Sequence, residues 1–442
     1  METITKNNIK KYSTYKNSGV EWLGEIPEHW EKKKIFHFFK AEKGKKAGIL
    51  TKEFCGAIKG KFPVYSGQTE NNGIMSSINE FEFDYTEDGC LFTTTVGAKA
   101  MTVNFLQGKF SLSQNCMIII KRNNDVFNKY IYYQFQTLFA YYRNQIPDHM
   151  QASFRMDDLY QFFFLLPPLS EQTKIAEFLD DKTKKIDEAI AIKSQQINLL
   201  KERKQILIHK AVTRGLDTNV KLKNSGVEWI GEIPVHWEVK KVRYVFNLGK
   251  GLTITKENLR DKGVFCVNYG EIHSKYGFEL DTNIHKLKCV DEDYLSSNSN
   301  ALISNGDFVF ADTSEDIEGS GNFTYLKSDN KIFAGYHTVI AKPKFQIESR
   351  FFAYIFESES FRNQIRTKVK GVKVYSITQS ILKQPYVWFP SKEEQKEIVD
   401  YLDLGTKKIA TAIGLKSEEI EKLKEYKSSL INSVVTGKVR VC

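Results

Sequence analysis

Several short loops of the chain are rich in lysine, glutamine and asparagine. Lys and Arg hold phosphate oxygens and pair with guanine, whereas a Gln or Asn amide can pair with the edge of adenine. The loops lie at residues 44–46, 66–73, 249–251, 268–271 and 368–373. Candidate contacts to a nucleic acid, from these loops and similar segments, are Lys45, Lys46, Gln68, Asn71, Asn72, Lys99, Gln151, Arg155, Lys250, Asn268, Tyr269, Lys370, Lys373 and Tyr375. For any single Gln or Asn, a solvated turn residue is the alternative.

Patterns that look like catalytic motifs are each incomplete or misplaced. Asp187-Glu188-Ala189-Ile190 resembles a helicase acidic box, but no GxxxxGK[ST] phosphate loop accompanies it. Leu166-Pro167-Pro168-Leu169 shares only its prolines with an adenine methyltransferase tetrapeptide. Glu394-Gln395-Lys396 has the form E-x-K of a nuclease, yet it opens a helix on which i and i+2 face different ways. The sequence predicts no catalytic residue, cofactor site or metal site in this chain.

Two stretches of the chain occur twice and frame the segments between them. Residues 16–31 return as 223–238 with 14 of 16 positions identical, at an offset of 207. Residues 171–213 return as 394–436 at an offset of 223, so the segment between the repeats is 16 residues longer in the second copy. A constant frame around two divergent inserts predicts two different readers held at a fixed separation.

The second repeated stretch has the apolar spacing of a long helix. Along residues 170–213 the apolar positions fall in steps of three, four and seven, and the pattern returns along 392–436. The seam residues are Ile175, Leu179, Ile186, Ile190, Ile197, Leu200, Leu207 and Ala211, with the copies Ile398, Leu402, Ile409, Ile413, Ile420, Leu423, Leu430 and Val434. Each helix is predicted to be roughly 65 Å long at 1.5 Å per residue.

The ends of these helices carry capping signals. Ser170 and Ser391 are the predicted N-caps, the latter within a capping box, and Gly215 and Gly437 are the predicted stops. A helix of this length with one apolar stripe needs a partner along its whole length, and its own copy is the nearest candidate. We therefore predict an antiparallel pair with the globular units at opposite ends. Surface helices packed on their own domains are the alternative.

The two inserts, residues 31–166 and 238–389, are predicted to share one mixed, β-rich fold with two different surfaces. Apolar or alternating runs between Gly and Asn turns predict strands at residues 91–96, 116–120 and 308–310. An aromatic helix and a strand that runs into proline follow in each insert. These segments are the helices 129–145 and 350–366 and the strands 159–167 and 382–390.

Composition narrows the class of protein. The 442 residues carry a net charge of +10, from 64 Lys+Arg against 54 Asp+Glu, which favours a polyanionic partner such as DNA, RNA or an anionic membrane. Aromatic residues make up 13% and predict packed cores. Six cysteines without a CxxC pair indicate free thiols in a reducing compartment. With no apolar run near the roughly 20 residues of a membrane helix, we expect a cytoplasmic chain that does not contact membranes.

The repeated motifs resemble those of the specificity subunit of type I restriction-modification systems, over essentially the whole chain from Lys16 to Lys438. The motifs are G-x-I-P-x-H-W (Gly24–Trp30, Gly231–Trp237), an L/F-P exit, E-Q-x-x-I (Glu171, Gln172, Ile175; Gln395, Ile398) and a V-T-G-like end (Val212–Gly215, Val435–Gly437). Arg214 before Gly215 departs slightly from the family's ending. The double occurrence makes this resemblance specific.

The resemblance implies a DNA-binding subunit that has no catalysis of its own. It implies two target recognition domains that read a bipartite, asymmetric site in double-stranded DNA. It also implies recruitment of two methyltransferase subunits and, in the full complex, two restriction subunits that use ATP to translocate DNA. S-adenosylmethionine, ATP and Mg²⁺ would then be bound by those partners and not by this chain.

The predicted fold class is α+β with a pseudo-twofold internal repeat: two mixed β-rich target recognition domains separated by a pair of long antiparallel coiled-coil helices. The predicted domains are the first recognition domain with the N-terminal repeat (1–166), the first spacer helix (167–215), the second recognition domain with the second repeat (216–389) and the second spacer helix (390–442). Two alternatives stay open. A self-contained nuclease that also modifies DNA is disfavoured by the missing cofactor, metal and nucleotide motifs. A scaffold for protein partners is opposed by the charge and the polar loops.

Overall fold

A computed structural model of the chain describes residues 10–441 except 59, 68, 69, 98, 148, 370, 372 and 373; the side chains of Glu70 and Asn72 also lie outside the described part. The chain divides into two compact units. The first comprises the described residues of Met1–Ser194 and Ser417–Cys442, and the second comprises those of Gln195–Lys416. No helix in the described ranges is both long and apolar enough to cross a membrane.

The first insert is built around a six-stranded sheet of order β4-β9-β7-β8-β5-β6. The strands up to the first long helix are β1 (Tyr15–Asn17), β2 (Glu25–Pro27), β3 (Glu31–Lys34), β4 (Phe39–Glu42), β5 (Phe62–Tyr65), β6 (Ile74–Ile78), β7 (Phe83–Thr94), β8 (Val103–Leu112), β9 (Cys116–Lys121) and β10 (Phe163–Leu166). The helices are α1 (Ile35–Phe38), α2 (Lys52–Gly56), α3 (Asn128–Asn144), α4 (Met156–Gln161) and α5 (Leu169–Arg214). Strand β9 is an apolar, β-branched run paired on both sides, which suits a central strand.

The second insert holds a five-stranded sheet, β14-β23-β19-β21-β16, and a four-stranded sheet, β17-β15-β22-β18. The strands between the two long helices are β11 (Leu222–Asn224), β12 (Glu232–Pro234), β13 (Glu238–Lys241), β14 (Phe246–Lys250), β15 (Val264–Val267), β16 (Phe278–Leu280), β17 (Lys288–Val290), β18 (Leu302–Ile303), β19 (Phe308–Ala311), β20 (Thr313–Ser314), β21 (Phe323–Leu326), β22 (Ile332–Ala334), β23 (Thr338–Pro343), β24 (Tyr375–Ser376) and β25 (Tyr386–Phe389). The helices are α6 (Val242–Val245), α7 (Tyr269–Ser274), α8 (Tyr294–Ser297), α9 (Ser349–Glu357), α10 (Glu359–Arg366), α11 (Gln379–Leu382) and α12 (Lys392–Val435).

The first and last strands of each insert form one antiparallel ladder. In the first unit β3 pairs with β10, and in the second β13 pairs with β25. A parallel pair also recurs, β5 with β8 and β15 with β22. The inserts therefore share a topology, and each one leaves and rejoins the repeated frame at a single place.

The two long helices form at the positions that the apolar spacing predicted. Helix α12 begins after Ser391, whose hydroxyl accepts a hydrogen bond from the Glu394 N–H at 3.4 Å, so this predicted cap is confirmed. The other predicted cap is wrong, since α5 begins at Leu169 and Ser170 lies inside its first turn. The carbonyl of Pro168 accepts the first hydrogen bonds of α5 instead.

Contacts between α5 and α12 run antiparallel within each unit. In the first unit Lys427 Nζ lies 2.7 Å from Asp187 Oδ2, and Lys193 bonds to Glu419. In the second unit Lys416 Nζ donates to Gln196 Oε1 at 2.7 Å, and Gly405 lies against Leu207. As the residue number increases along α5, the number of its contact on α12 decreases. The predicted antiparallel pairing is therefore confirmed.

The glycines that end the long helices lie against the opening motifs of the repeats. Gly437, at φ +74°, packs on Pro27 and Trp30, and a Cβ there would fall 2.3 Å from the Pro27 ring. Gly215, at φ +72°, lies beside Trp237. Both tryptophans are fully buried. The end of one long helix and the start of the other thus share a core with each opening motif, within its own unit.

Three predicted elements are corrected by the structure. The aromatic helix predicted at 350–366 is two helices, α9 and α10, because the backbone at Ser358 is extended and its hydroxyl donates to the Ile355 carbonyl. Serine competes for backbone hydrogen bonds in this way without disturbing the apolar spacing. The strands predicted at 159–167 and 382–390 begin later, because their first residues belong to α4 and α11.

Candidate nucleic-acid interface

A glutamate in the first turn of each long helix holds the His-Trp motif that opens its unit. In the first unit His29 Nε2 lies 2.9 Å from Glu171 Oε2, and the Tyr12 hydroxyl also donates to Glu171. In the second unit His236 Nε2 lies 2.8 Å from Glu394 Oε2. These carboxylates are structural partners, so the E-x-K pattern at the start of α12 is part of a junction.

The glutamine that follows each glutamate fastens the insert to the helix. Gln172 is fully buried; its Oε1 accepts from the Phe127 N–H at 2.8 Å and its Nε2 donates to the Pro167 carbonyl at 2.8 Å. Gln395 accepts from the Glu348 N–H at 3.0 Å and donates to Pro390 at 2.9 Å. Both amides satisfy backbone groups that burial would otherwise leave without partners.

A second clamp recurs one turn or more further along each long helix. Asp180 accepts from Lys129 Nζ at 2.6 Å and from the Tyr133 hydroxyl at 2.7 Å. Its copy Asp403, at the repeat offset of 223, accepts from Arg350 Nε at 2.7 Å and from the Tyr354 hydroxyl at 2.6 Å.

Burial raises the pKa of both tyrosines, so each phenol stays protonated and donates its hydrogen bond. These clamps were not predicted from the sequence. The only signal there is that the aspartate, the cationic residue and the tyrosine of the first clamp each recur in the second clamp at nearly equal sequence offsets.

In the first unit, the loops beyond one end of the sheet meet. We call this surface the first reading end; it comprises the described parts of segments 43–47, 66–71, 95–102, 113–115 and 149–155. The Ser113 N–H donates to the Tyr65 carbonyl at 2.9 Å, which joins two loops. The Thr95 N–H donates to Asn115 at 2.8 Å and the Phe154 N–H donates to Thr95 at 2.7 Å, which join two more loops to these. A backbone network therefore fixes loops that are far apart in sequence.

The described candidate contacts of the first insert lie at this end. Those with exposed side chains are Lys45, Lys46, Asn71, Lys99, Gln151 and Arg155. Lys46 Nζ lies 2.6 Å from Glu80 Oε2, so this lysine already has a carboxylate partner. Gln68 and the side chain of Asn72 lie outside the described residues. The structure thus gathers cations and amides on one surface, and their contacts to DNA stay predictions.

In the second unit, equivalent loops meet in the same way. The second reading end comprises segments 250–254, 268–273, 312–322, 335–337 and 374–378 in their described parts. The Gly335 N–H donates to Val267 at 2.7 Å, the Asp312 N–H to His337 at 3.0 Å, and the Ile377 N–H to Asp312 at 2.7 Å. These bonds match those of the first reading end.

The candidate contacts of the second insert divide between surface and interior. Lys250 is exposed, and Tyr269 and Tyr375 are half-buried. Asn268 is 2% exposed and its amide donates to Glu271 at the start of α7, so it has no free surface for a base in this conformation. Lys370 and Lys373 lie outside the described residues.

The chemistry of the two reading ends suits non-covalent recognition. Exposed cations can hold phosphates, and amide or phenol groups on a fixed backbone can read base edges. Within the described part of the chain, no three His, Cys, Asp or Glu residues are grouped as metal ligands would be.

Comparisons with known proteins agree with this arrangement. The family described as "Type I restriction modification DNA specificity domain" matches residues 27–202 and 234–424. The MjaVIII specificity subunit of a type I restriction enzyme from Methanocaldococcus jannaschii is 27% identical, over 94% of each chain. The putative MjaX specificity subunit of the same organism is 24% identical, over 95% of this chain and 96% of that one.

A solved structure shares the fold. It is described as "Structural basis underlying complex assembly and conformational transition of the type I R-M system" and has a TM-score of 0.67 at 12% identity, covering 93% of this chain and 98% of that one. The family matches each repeat once, in the order that the internal repeat predicted. This chain therefore belongs to the family of type I restriction-modification DNA specificity subunits.

Proposed function

We propose that this chain reads a bipartite, asymmetric sequence in double-stranded DNA and performs no catalysis of its own. The observation that carries the proposal is the pair of reading ends, which share a backbone network and differ in side chains. Each reading end would take a short half-site in the major groove, where every base pair presents a distinct pattern of donors and acceptors. Because the side chains differ, the two half-sites should differ as well.

The partners belong to the same proposal. Two methyltransferase subunits, using S-adenosylmethionine, would flip the target adenine out of the duplex, and two restriction subunits would supply ATP- and Mg²⁺-dependent translocation in the cytoplasm. In the second unit, the paired long helices retain exposed apolar residues that suit a partner. Leu199 and Ile206 lie seven residues apart on α5 and are 56% and 48% exposed; Leu404 and Leu415 of α12 are 58% and 57% exposed.

Exchange of one insert tests the reading function. Replacing residues 31–166 with the equivalent insert of a relative should change one half of the target and leave the other half intact. The measurement is selection of bound or methylated sequences from a randomised library. A change in both halves, or in neither, would show that the reading ends are not independent. Methyl transfer to DNA by the purified chain alone would contradict the absence of catalysis.

Introduction of negative charge on this exposed apolar face tests whether it recruits the methyltransferase subunits. The double variant Leu199→Glu and Ile206→Glu should lose the methyltransferase subunits in co-purification, because a charge cannot be buried in an apolar interface without a partner. Lys201→Glu, exposed on the same helix, is the control and should retain them. Retention by the double variant would place the partner elsewhere.

The helix pair is also proposed to set the gap between half-sites. Adding a heptad to both helices at matched positions keeps the seam and lengthens each helix by about 10.5 Å. At about 3.4 Å per base pair, the unread spacer should grow by roughly three base pairs. Three base pairs also rotate the second half-site by roughly a hundred degrees, at about 10 to 10.5 base pairs per turn, so affinity should fall. An unchanged spacer preference in a folded variant that binds its partners would show that the helix pair does not set the distance between the half-sites.

A further inference from the structure

The second reading end contains a cavity of about 680 Å³, and this cavity distinguishes it from the first reading end. Tyr269, His273, Ser314, Asp316 and Asn322 are among the residues that line it. The cavity lies where the loop after β15 meets the loop after β20. Its polar groups can be sorted by the hydrogen bonds that they already make.

The imidazole and the amide form a fixed wall. His273 Nε2 lies 2.8 Å from the Thr313 carbonyl, which can only accept, so Nε2 carries the proton. Nδ1 then accepts from Asn322 Nδ2 at 2.8 Å, and Asn322 Oδ1 accepts from Arg362 at 2.7 Å. Both ring nitrogens are engaged, so His273 positions the wall and does not bind a ligand.

The carboxylate of Asp316 retains capacity for a ligand. One oxygen, Oδ1, accepts from the Gly319 N–H at 2.6 Å, which holds the loop; the other oxygen can accept from a bound group. Glu315 and Glu318 also line the cavity, and Glu318 lies 3.1 Å from Arg366. Among the described lining residues there is no Lys or Arg. Such a surface repels phosphate and favours a ligand that donates hydrogen bonds.

Tyr269 gives the cavity a rigid aromatic side. Its ring packs edge-on against His337 at 5.2 Å and against Tyr336 at 5.7 Å. His337 has φ +55° and Nδ1 lies 3.1 Å from Asp312, so the turn beneath Tyr269 is held in place. A flat, fixed ring beside a hydrogen-bond acceptor suits a planar ligand with an amine.

Among its described residues, the first reading end has no equivalent of this cavity chemistry. The matching parallel ladders place Gly67 where the second unit has Tyr269, and Gln114 where it has Tyr336. The loop 97–102 carries Lys99, whereas the longer loop 314–322 carries the carboxylates. These two loops therefore carry charges of opposite sign.

We infer that the cavity reads an amine-bearing base of the second half-site, cytosine through N4 or adenine through N6, with Asp316 as the acceptor and Tyr269 as the aromatic side. A carboxylate accepting from an exocyclic amine is an established way to read a base edge in the major groove. This inference rests on the proposed function, because it requires that the second reading end contacts DNA.

The substitution Asp316→Asn tests the acceptor directly. Asparagine keeps an oxygen for the Gly319 N–H and replaces the second acceptor with a donor. In the full chain with its co-purifying methyltransferase subunits, discrimination for cytosine or adenine should fall by roughly 5- to 150-fold at one position of the second half-site. The first half-site should be unchanged. Asp281→Asn is the matched control, since Asp281 caps a turn of the same unit through Asn283 N at 2.8 Å and does not line the cavity.

A second measurement alters the DNA. Each adenine or cytosine of the second half-site is replaced by purine or 2-pyrimidinone, which lack the amine, and binding by the unaltered complex is measured. Loss at one position by a similar factor, and no further loss when Asp316→Asn is combined with it, supports the inference. If the complex selects a bipartite site but no amine removal in the second half-site weakens binding, the inference is wrong. If it selects no specific sequence, the proposed function itself fails.

Discussion

The two units differ least where each insert joins the long helices and most at the free end of the insert. At the junctions, Glu171 and Glu394 each bind the histidine of the repeated His-Trp motif in their own unit. Asp180 and Asp403 likewise each bind an equivalent tyrosine. At the free ends, the first unit presents cations and amides, whereas the second presents tyrosine, histidine and carboxylates beside the exposed Lys250. The junction contacts do not include reading-end residues, so the loops can diverge without loosening the frame.

The largest effect should come from removing the buried tryptophans of the junctions. Trp30→Ala and Trp237→Ala should each lower the free energy of unfolding by about 3–5 kcal/mol, since both rings are fully buried. Chemical denaturation of the full chain measures this. Trp229→Ala, at 42% exposure, is the control and should cost far less. A loss well below this range for either variant would contradict the role of that ring in its junction.

A milder substitution should reveal a difference between the same two junctions. The indole N–H of Trp237 donates to Glu394 at 3.1 Å, whereas the buried indole N–H of Trp30 has no partner within the described residues. Trp237→Phe should therefore destabilise by about 1–2 kcal/mol more than Trp30→Phe. The same denaturation assay measures the difference. An equal or reversed order would show that the Glu394 contact adds no stability.

The two aspartate clamps should differ less in their contribution to the free energy of unfolding than the two tryptophans do. Lys129 beside Asp180 is 45% exposed, and Arg350 beside Asp403 is 24% exposed, so solvent screens the first pair more strongly. Asp403→Asn should cost about 1 kcal/mol and Asp180→Asn a fraction of that. Both costs should shrink in high salt. A larger loss for Asp180→Asn, or losses that ignore salt, would contradict this ranking.

The smallest effects should come from single lysines of the reading ends. Lys45→Ala and Lys250→Ala should weaken binding to all sequences alike and reduce the salt slope by about one unit per lost phosphate contact. Lys424→Ala on α12, where Nζ lies 2.8 Å from Glu421, is the control and should leave the slope unchanged. Altered base preference at one position would mean that the lysine reads a base instead.

Much of the frame could be predicted because it is periodic or repeated. The spacing of the seam residues predicted the bounds of both long helices to within a few residues. The repeat offsets predicted which segments of the two units correspond. The junction partners could not be predicted. His29 and Glu171 lie 142 residues apart, and no local pattern links them. The break at Ser358 was also missed, because the apolar spacing continues across it.

The sequence by itself determined the repeat, the paired helices and the family, since these depend on spacing and identity along the chain. Tertiary structure alone decided which polar residues face outward. Gln172 and Asn268 look like the exposed Gln151 in sequence, yet both are buried. Burial of backbone and carboxylate groups is costly without partners, so those two amides are used inside the fold and Gln151 stays available to solvent.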